Sequence, residues 1–162
     1  MITIGIDCGQ TGGVSIVEDG QFVTGKRMPI ITRGKFKHVD IRALMQWITP
    51  ETTASRGMTF VIESVHAMPA QGVSSSFAFG RAAGGVEAWA MAYGLPVEFV
   101  TPAKWKKDLG LTSDKQASLD ACKLHFGENK LWDVKANDGI AESALIALWW
   151  QRQSSKLQGD ER

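Results

Sequence analysis

The opening stretch MITIGIDCGQTGGVSIVEDGQFVTGKRM constrains the fold more than any other part of the chain. Residues 2–7 (ITIGID) and 12–18 (GGVSIVE) have the apolar, β-branched character of buried strands, and QFVTGKRM from residue 21 can form a third. A glycine-rich turn separates the first two. Asp19-Gly20, a strong hairpin signal, separates the second from the third. The chain therefore begins as an antiparallel meander.

Beyond the meander, helices and strands alternate. DIRALMQWI has helical spacing, with Ile41, Leu44, Met45 and Ile48 on one face and Pro50 as its end. MTFVIES at 58–64 reads as a buried strand ending on Glu63. A long helix is expected from about Ser74 to Tyr93, despite Gly84-Gly85, and PVEFV reads as another strand. SDKQASLDACKLHF reads as a helix opened by a capping box, Ser113 to Gln116, and a last helix runs from near Asp138 to about Arg152. Residues 30–38 (IITRGKFKH) read as a basic loop and 65–73 as a second loop. Strands alternating with helices after a meander imply a mixed five-stranded α/β sheet, antiparallel on one side and parallel on the other, with helices on both faces. That order is the ribonuclease H-like one. Residues 1–152 read as one domain, and 153–162 as a polar tail that frays.

Composition narrows the class only slightly. Hydrophobic residues make up 44% and charged residues 22%, as in ordinary globular proteins, and the formal net charge is +1. Any acidic site or basic patch must therefore be sought in the distribution of charge. No apolar run approaches a membrane span, and no basic segment precedes an apolar one at the start, so a cytoplasmic protein without a membrane partner is expected. Cys8 and Cys122 have no ligand-like spacing and read as reduced thiols.

Four carboxylates stand out by position. Asp7 ends the first strand and Glu63 the fourth; Asp138 and Glu142, at i and i+4, share a face at the start of the last helix. If the first and fourth strands are neighbours, all four can converge. Such a group repels itself unless a cation sits among its members. Magnesium suits it, since that ion takes oxygen ligands and is shared between carboxylates and phosphate. Two such ions ~4 Å apart can activate water against a phosphodiester. Taken singly, Asp138 reads equally well as a helix cap and Glu142 as an ordinary helix residue. The stretch GIDCGQTGG alone also fits the phosphate cradle of actin-like and sugar-kinase phosphotransferases. Those proteins need a second such hairpin, which this chain lacks, so no nucleotide cofactor is expected.

ITIGIDCGQTGG, FVIES, TPAKWKKDLGLTSDKQAS and NDGIAESALIALWW together resemble, in order and spacing, the motifs of the RuvC family of Holliday-junction resolvases, especially its compact phage-borne members. The resemblance spans about residues 2–150. It implies a ribonuclease H-like homodimer that cuts two strands of a four-way DNA junction symmetrically, with magnesium as cofactor or manganese in its place. By resemblance Asp7, Glu63 and Glu142 take the metal-binding positions, Asp138 is the fourth acid, and Lys106 and Lys115 match lysines near the scissile phosphate. The chain departs from the best-known members in two places. Its last two acids are spaced by four rather than three and end in glutamate, and the loop after Glu63 offers His66 and Met68 where the family can carry an aromatic.

Lys104, Lys106, Lys107 and Lys115 form one basic stretch around Trp105. Arg33, Lys35 and Lys37 form another, and Arg81 lies on the long helix near the site loop. These side chains, with His66, are the candidate contacts to DNA, the lysines through phosphate. Lys115 at a helix start opposes the helix dipole, which calls for an anionic partner, either phosphate or the acidic group. Of Phe77 and Phe79, one ring is expected to pack inward. Trp89, Trp149 and Trp150 read as core or interface, and GRAAGGVEAWA offers a small-residue helix face for a dimer contact.

Overall fold

The computed structural model describes residues 1–48, 57–64, 66 and 72–159. Strands β1 (Ile2–Asp7), β2 (Gly13–Glu18) and β3 (Gln21–Arg27) form the expected meander. A hairpin of β4 (Ile30–Arg33) and β5 (Phe36–Val39) comes next, then helix α1 (Ile41–Trp47), strand β6 (Met58–Glu63), helix α2 (Val73–Met91) and strand β7 (Val97–Val100). Helices α3 (Pro102–Asp108), α4 (Lys115–Phe126) and α5 (Asp138–Gly159) complete the described chain, with two short 3-10 turns leading into α5. The main sheet has the order β3-β2-β1-β6-β7. β1 and β2, and β2 and β3, pair antiparallel; β1 and β6, and β6 and β7, pair parallel. This is the mixed five-stranded sheet that the element order implies.

A core lies on each face. Ile4, Ile6, Phe60 and Ile62 point to one side and meet Leu44, Ile48, Val86 and Trp89 from the α1–α2 region. Val61 and Val100 point to the other and meet Trp105, Leu119, Cys122, Leu145 and Ile146 from α3, α4 and α5. The strands pointing both ways are apolar on both sides, as a covered sheet requires. Helix α5 lies directly on β1 because Gly5 has no side chain: a Cβ there would meet the Ser143 carbonyl oxygen at 2.0 Å. The far end of α5 is pinned by the buried Gln151, whose amide donates to the carbonyls of Met1 and Val17 at 3.0 Å each and accepts from the Gly20 N–H at 2.7 Å.

Several expectations need correction. The basic stretch at 30–38 is a two-stranded hairpin, not a loop. Its strands bury almost no face, so the period-2 signal that marks a half-buried strand is missing. Met45 is 55% exposed while Leu44 and Ile48 are buried, so the buried face of α1 is narrower than its spacing suggests. The α4 cap is Asp114, whose carboxylate accepts from the Gln116 N–H at 3.0 Å, rather than Ser113. Helix α5 continues through Gly159, so residues 153–159 are helical and not a frayed tail. Helix α3 was hidden among lysines, although Thr101-Pro102 is a helix-start signature and Thr101 caps it. Gly84 and Gly85 do not break α2. Pro50, Met68 and most of the loop after Glu63 lie outside the described residues. No helix among the described residues is long and apolar enough to cross a membrane.

Candidate active site

The parallel register of β1 and β6 pairs Ile6 with Ile62, which brings Asp7 and Glu63 to adjacent strand ends. The start of α5 is laid across those ends by a contact between two glycines. Gly12, in the turn after β1, bridges to Gly139, the residue after Asp138. A Cβ on Gly139 would stand 2.5 Å from the Gly12 carbonyl carbon, and one on Gly12 would stand 2.1 Å from the Asp7 carbonyl oxygen. Only hydrogen fits in either place. The glycine-rich turn thus receives the protein's own helix, a use distinct from both phosphate cradling and close approach of DNA. Ser15 adds a hydroxyl bond to the Ile140 carbonyl at 3.0 Å, and Arg27 holds the approach to α5 through Asn137 at 2.8 Å.

The four acids converge. Burial, then the nearby Glu63 and Glu142 and, more weakly, Asp138, push the Asp7 carboxyl up to about 7. One backbone N–H, that of Gly9, donates to Asp7 Oδ1 at 3.3 Å and opposes the rise. Burial likewise raises Glu63 above its ordinary value, with Glu142 adding to the rise. The buried Cys8 beside them is pushed up to about 12 by burial and by Asp7, so it stays a thiol.

Each remaining acid has a specific partner. The Glu63 carboxylate accepts from the indole N–H of Trp105 at 2.8 Å. Glu142 Oε1 receives Lys106 Nζ at 2.7 Å and the Ser118 hydroxyl at 3.3 Å. Asp138 is paired with Lys115, whose ammonium is held above its ordinary value chiefly by that bond. Lys115 at the start of α4 therefore finds its anion in the acidic group. Asp138 is the first residue of α5 with helical backbone angles, not a cap preceding it.

Trp105 is the residue that sequence reasoning missed. It is fully buried between the sheet and α5 while Lys104 and Lys107 on the same helix are exposed. The amphipathic pattern of Trp105 with Leu109, four residues apart, was the available signal.

The donor set is oxygen only, and the neighbouring carboxylates add to the raised values of Asp7 and Glu63; both facts fit a hard divalent cation. As the side chains stand, no three acidic, histidine or cysteine groups among the described residues are drawn together tightly enough to grip an ion, each acid being turned to its own neighbour.

Among the described residues, no ion pair joins the other candidates to the four acids. Lys104 pairs with Asp108 at 3.3 Å and stands over the Trp149 ring, and Lys107 is exposed. His66 is exposed. Arg33, Lys35 and Lys37 are exposed on the β4–β5 hairpin, which is tied to the site turn by the Gln10 amide donating to the Lys37 carbonyl at 2.9 Å. Arg81 stands over the Phe77 ring at 5.8 Å. Phe79 is the half-buried one of the two phenylalanines and Phe77 the exposed one. Trp89 and Trp149 belong to the two cores.

A ribonuclease H-like sheet with acids at the ends of its first and fourth main strands and on its last helix defines the class of fold. Among solved structures, the chain is similar to Thermus thermophilus RuvC in complex with a Holliday junction substrate, with a TM-score of 0.64 and 16% identity over 96% of this chain and 97% of that one. A second Thermus thermophilus RuvC structure aligns with a TM-score of 0.60 and 16% identity over 95% and 97% of the two chains. The chain has the RuvC fold. No protein-family model matches it, and no curated protein matches it in sequence.

Proposed function

We propose that the protein is a structure-selective DNA endonuclease that resolves four-way junctions by two symmetric hydrolyses. The observation that carries this reading is the convergence of Asp7, Glu63, Asp138 and Glu142 at one end of a RuvC-like sheet, with Lys106 and Lys115 on the last two. The likeness to a RuvC bound to a Holliday junction supports branched DNA as the substrate.

In this reading the four carboxylates would hold two magnesium ions, or manganese in their place. When bound, the metal supplies a nucleophilic water and neutralises charge at the phosphate. The chain's own residues do the rest. Gly9 and Trp105 fix the two strand-end acids. Lys115 stabilises the charge that grows on the phosphate in the transition state. Lys104, Lys106, Lys107, Arg33, Lys35, Lys37 and Arg81 bind the backbone. Water attacks phosphorus and gives up a proton, the bond from phosphorus to one ester oxygen breaks, that oxygen leaves as a hydroxyl after taking up a proton, and no covalent enzyme intermediate forms.

Two linked cuts across a symmetric junction call for two sites related by a two-fold axis, hence a homodimer. Gly80 and Gly84 on α2 have open space where a Cβ would stand, which suits close approach of a second copy. Sedimentation in physiological salt is expected to show a dimer at micromolar concentration; monomer alone would refute that part.

The test compares four-way junction, replication fork, duplex and RNA–DNA hybrid, each with and without magnesium, and maps the cuts. Paired, symmetric, magnesium-dependent cuts confined to the junction are expected. Cutting confined to another branched DNA or to the hybrid would move the protein to a related nuclease activity on the same site. A rise in thermal stability with ATP and none with magnesium plus junction would favour the phosphotransferase alternative.

A further inference from the structure

A groove of about 570 Å³ runs between the β4–β5 hairpin and α2, with Gln10 of the turn after β1 at its edge. Phe36 and His38, alternate residues of β5, line one wall, and Ser74, Phe77 and Arg81, on one face of α2, line the other. Phe36 is 69% exposed and Phe77 66% exposed, one ring from each wall. Lys35, Lys37 and Arg81 surround them.

The groove reaches the turn that follows Asp7. Gln10 lines both it and a smaller cavity of about 280 Å³ against Gly9, Thr11 and Phe79. On its other side it shares His38 and Arg81 with a basic cavity of about 690 Å³ that Arg33 and Arg42 also line. Among the described residues Asp40 is the one acid lining these cavities, and its carboxylate accepts from the Ala43 N–H at 3.2 Å as the cap of α1. The cations here thus face solvent without a matching acid lining.

Phe36 and Phe77 bring aromatic rings to the groove, and Lys35, Lys37 and Arg81 line it with them. They suit a polyanion whose flat apolar faces are accessible. Paired bases hide those faces in the stack, whereas unpaired bases offer them, and stacking on aromatic side chains with cations along the backbone is how single strands are held.

We propose that this groove takes an unpaired nucleotide of the DNA substrate, its base stacked on Phe36 and Phe77 and its flanking phosphates met by Lys35, Lys37 and Arg81. The inference rests on the nuclease reading and deepens it: the favoured substrate is DNA with unstacked bases a short way from the scissile phosphate.

The test measures binding of a fluorescent oligo(dT) and of a duplex by the full chain in EDTA, for the wild type and for Phe36→Leu, Phe77→Leu, Phe36→Trp and Phe77→Trp. Both rings are exposed, so the variants should melt as the wild type does, and melting curves check this. Each Leu variant is expected to lose roughly tenfold or more in oligo(dT) affinity, with duplex affinity changed less than about twofold, and each Trp variant to keep its affinity. Leu variants that bind oligo(dT) as the wild type does, or that lose duplex binding equally, would overturn the groove. Junction cutting in magnesium, tracked in parallel, separates the two ideas. A wild type that cuts junctions without ring-dependent single-strand binding overturns the groove alone. Ring-dependent single-strand binding without cutting of any branched DNA supports the groove and removes the nuclease reading.

Discussion

The acids carried by strands and those carried by a helix are held in opposite ways. Asp7 and Glu63 sit at the ends of neighbouring strands, Glu63 buried and Asp7 partly so, and receive neutral donors: one backbone N–H and one indole N–H. Asp138 and Glu142 sit on the first turns of α5 and are neutralised by lysines from α4 and α3. Among the described residues no lysine is ion-paired with the strand pair, and Asp7 shows the strain in a carboxyl pushed up to about 7. The helix pair is already balanced. A fixed, charge-hungry pair beside an adjustable, compensated pair is the arrangement expected where a cation and a phosphate must arrive together.

The largest effect on stability should come from relieving the strand side. Asp7 has a folded value near 7 against an ordinary 3.8, so the native protein holds more protons than the unfolded chain in that window. Stability of the metal-free protein therefore falls as pH rises from about 4 to 7. Asp7→Asn removes this penalty. In EDTA at pH 8 it should be the more stable protein, by on the order of 2–4 kcal/mol, and the gap should close toward pH 4. Magnesium should raise the melting temperature of the wild type and leave that of Asp7→Asn nearly unmoved. A pH-independent difference between the two would show that Asp7 is not the strained member.

Next comes the Trp105 indole. Trp105→Phe keeps an aromatic ring in the core and removes the donor to Glu63. Loss of such a supporting bond typically costs about 10- to 100-fold in metal affinity or activity. The cutting rate at low magnesium should fall by that factor and recover partly at high magnesium. Equal rates at every concentration would make Trp105 a packing residue only.

On the helix side the effects should be smaller. Lys106→Ala exposes the Glu142 charge in a pair that is 18% and 15% exposed and should cost about 1 kcal/mol of stability, along with weaker junction binding. The outlying pair Lys123–Asp133, far more exposed, is the control: Lys123→Ala should change neither melting nor cutting. If the two lysine variants behave alike, the balance on α5 has no special role.

Much of this contrast could be read in the sequence. Asp7 and Glu63 were visible because each ends an apolar run, and Asp138 and Glu142 because i and i+4 acids open an otherwise apolar helix. Lys115 was visible because a cation at a helix start is electrostatically misplaced without an anion. The contacts that bring the elements together were not visible. The Gly12–Gly139 contact and the seat of α5 on Gly5 are meetings of backbone with backbone, which leave only a glycine in the sequence and no indication of its partner. Trp105 was obscured by its lysine neighbours, since a short amphipathic helix with three lysines reads as a surface segment. The β4–β5 hairpin was missed because its strands bury almost nothing; its one local trace was Gly34, which turns with a φ of +62°.

The central claim is that the strand-end acid drives cutting of branched DNA. It is tested most directly by incubating wild type and Asp7→Asn with a labelled four-way junction in magnesium while measuring binding of the same junction in EDTA. The account predicts paired symmetric cuts by the wild type. It predicts a loss of roughly a hundred- to a thousandfold in rate for Asp7→Asn, with junction affinity unchanged. Magnesium-dependent cutting by Asp7→Asn at the wild-type rate would contradict it.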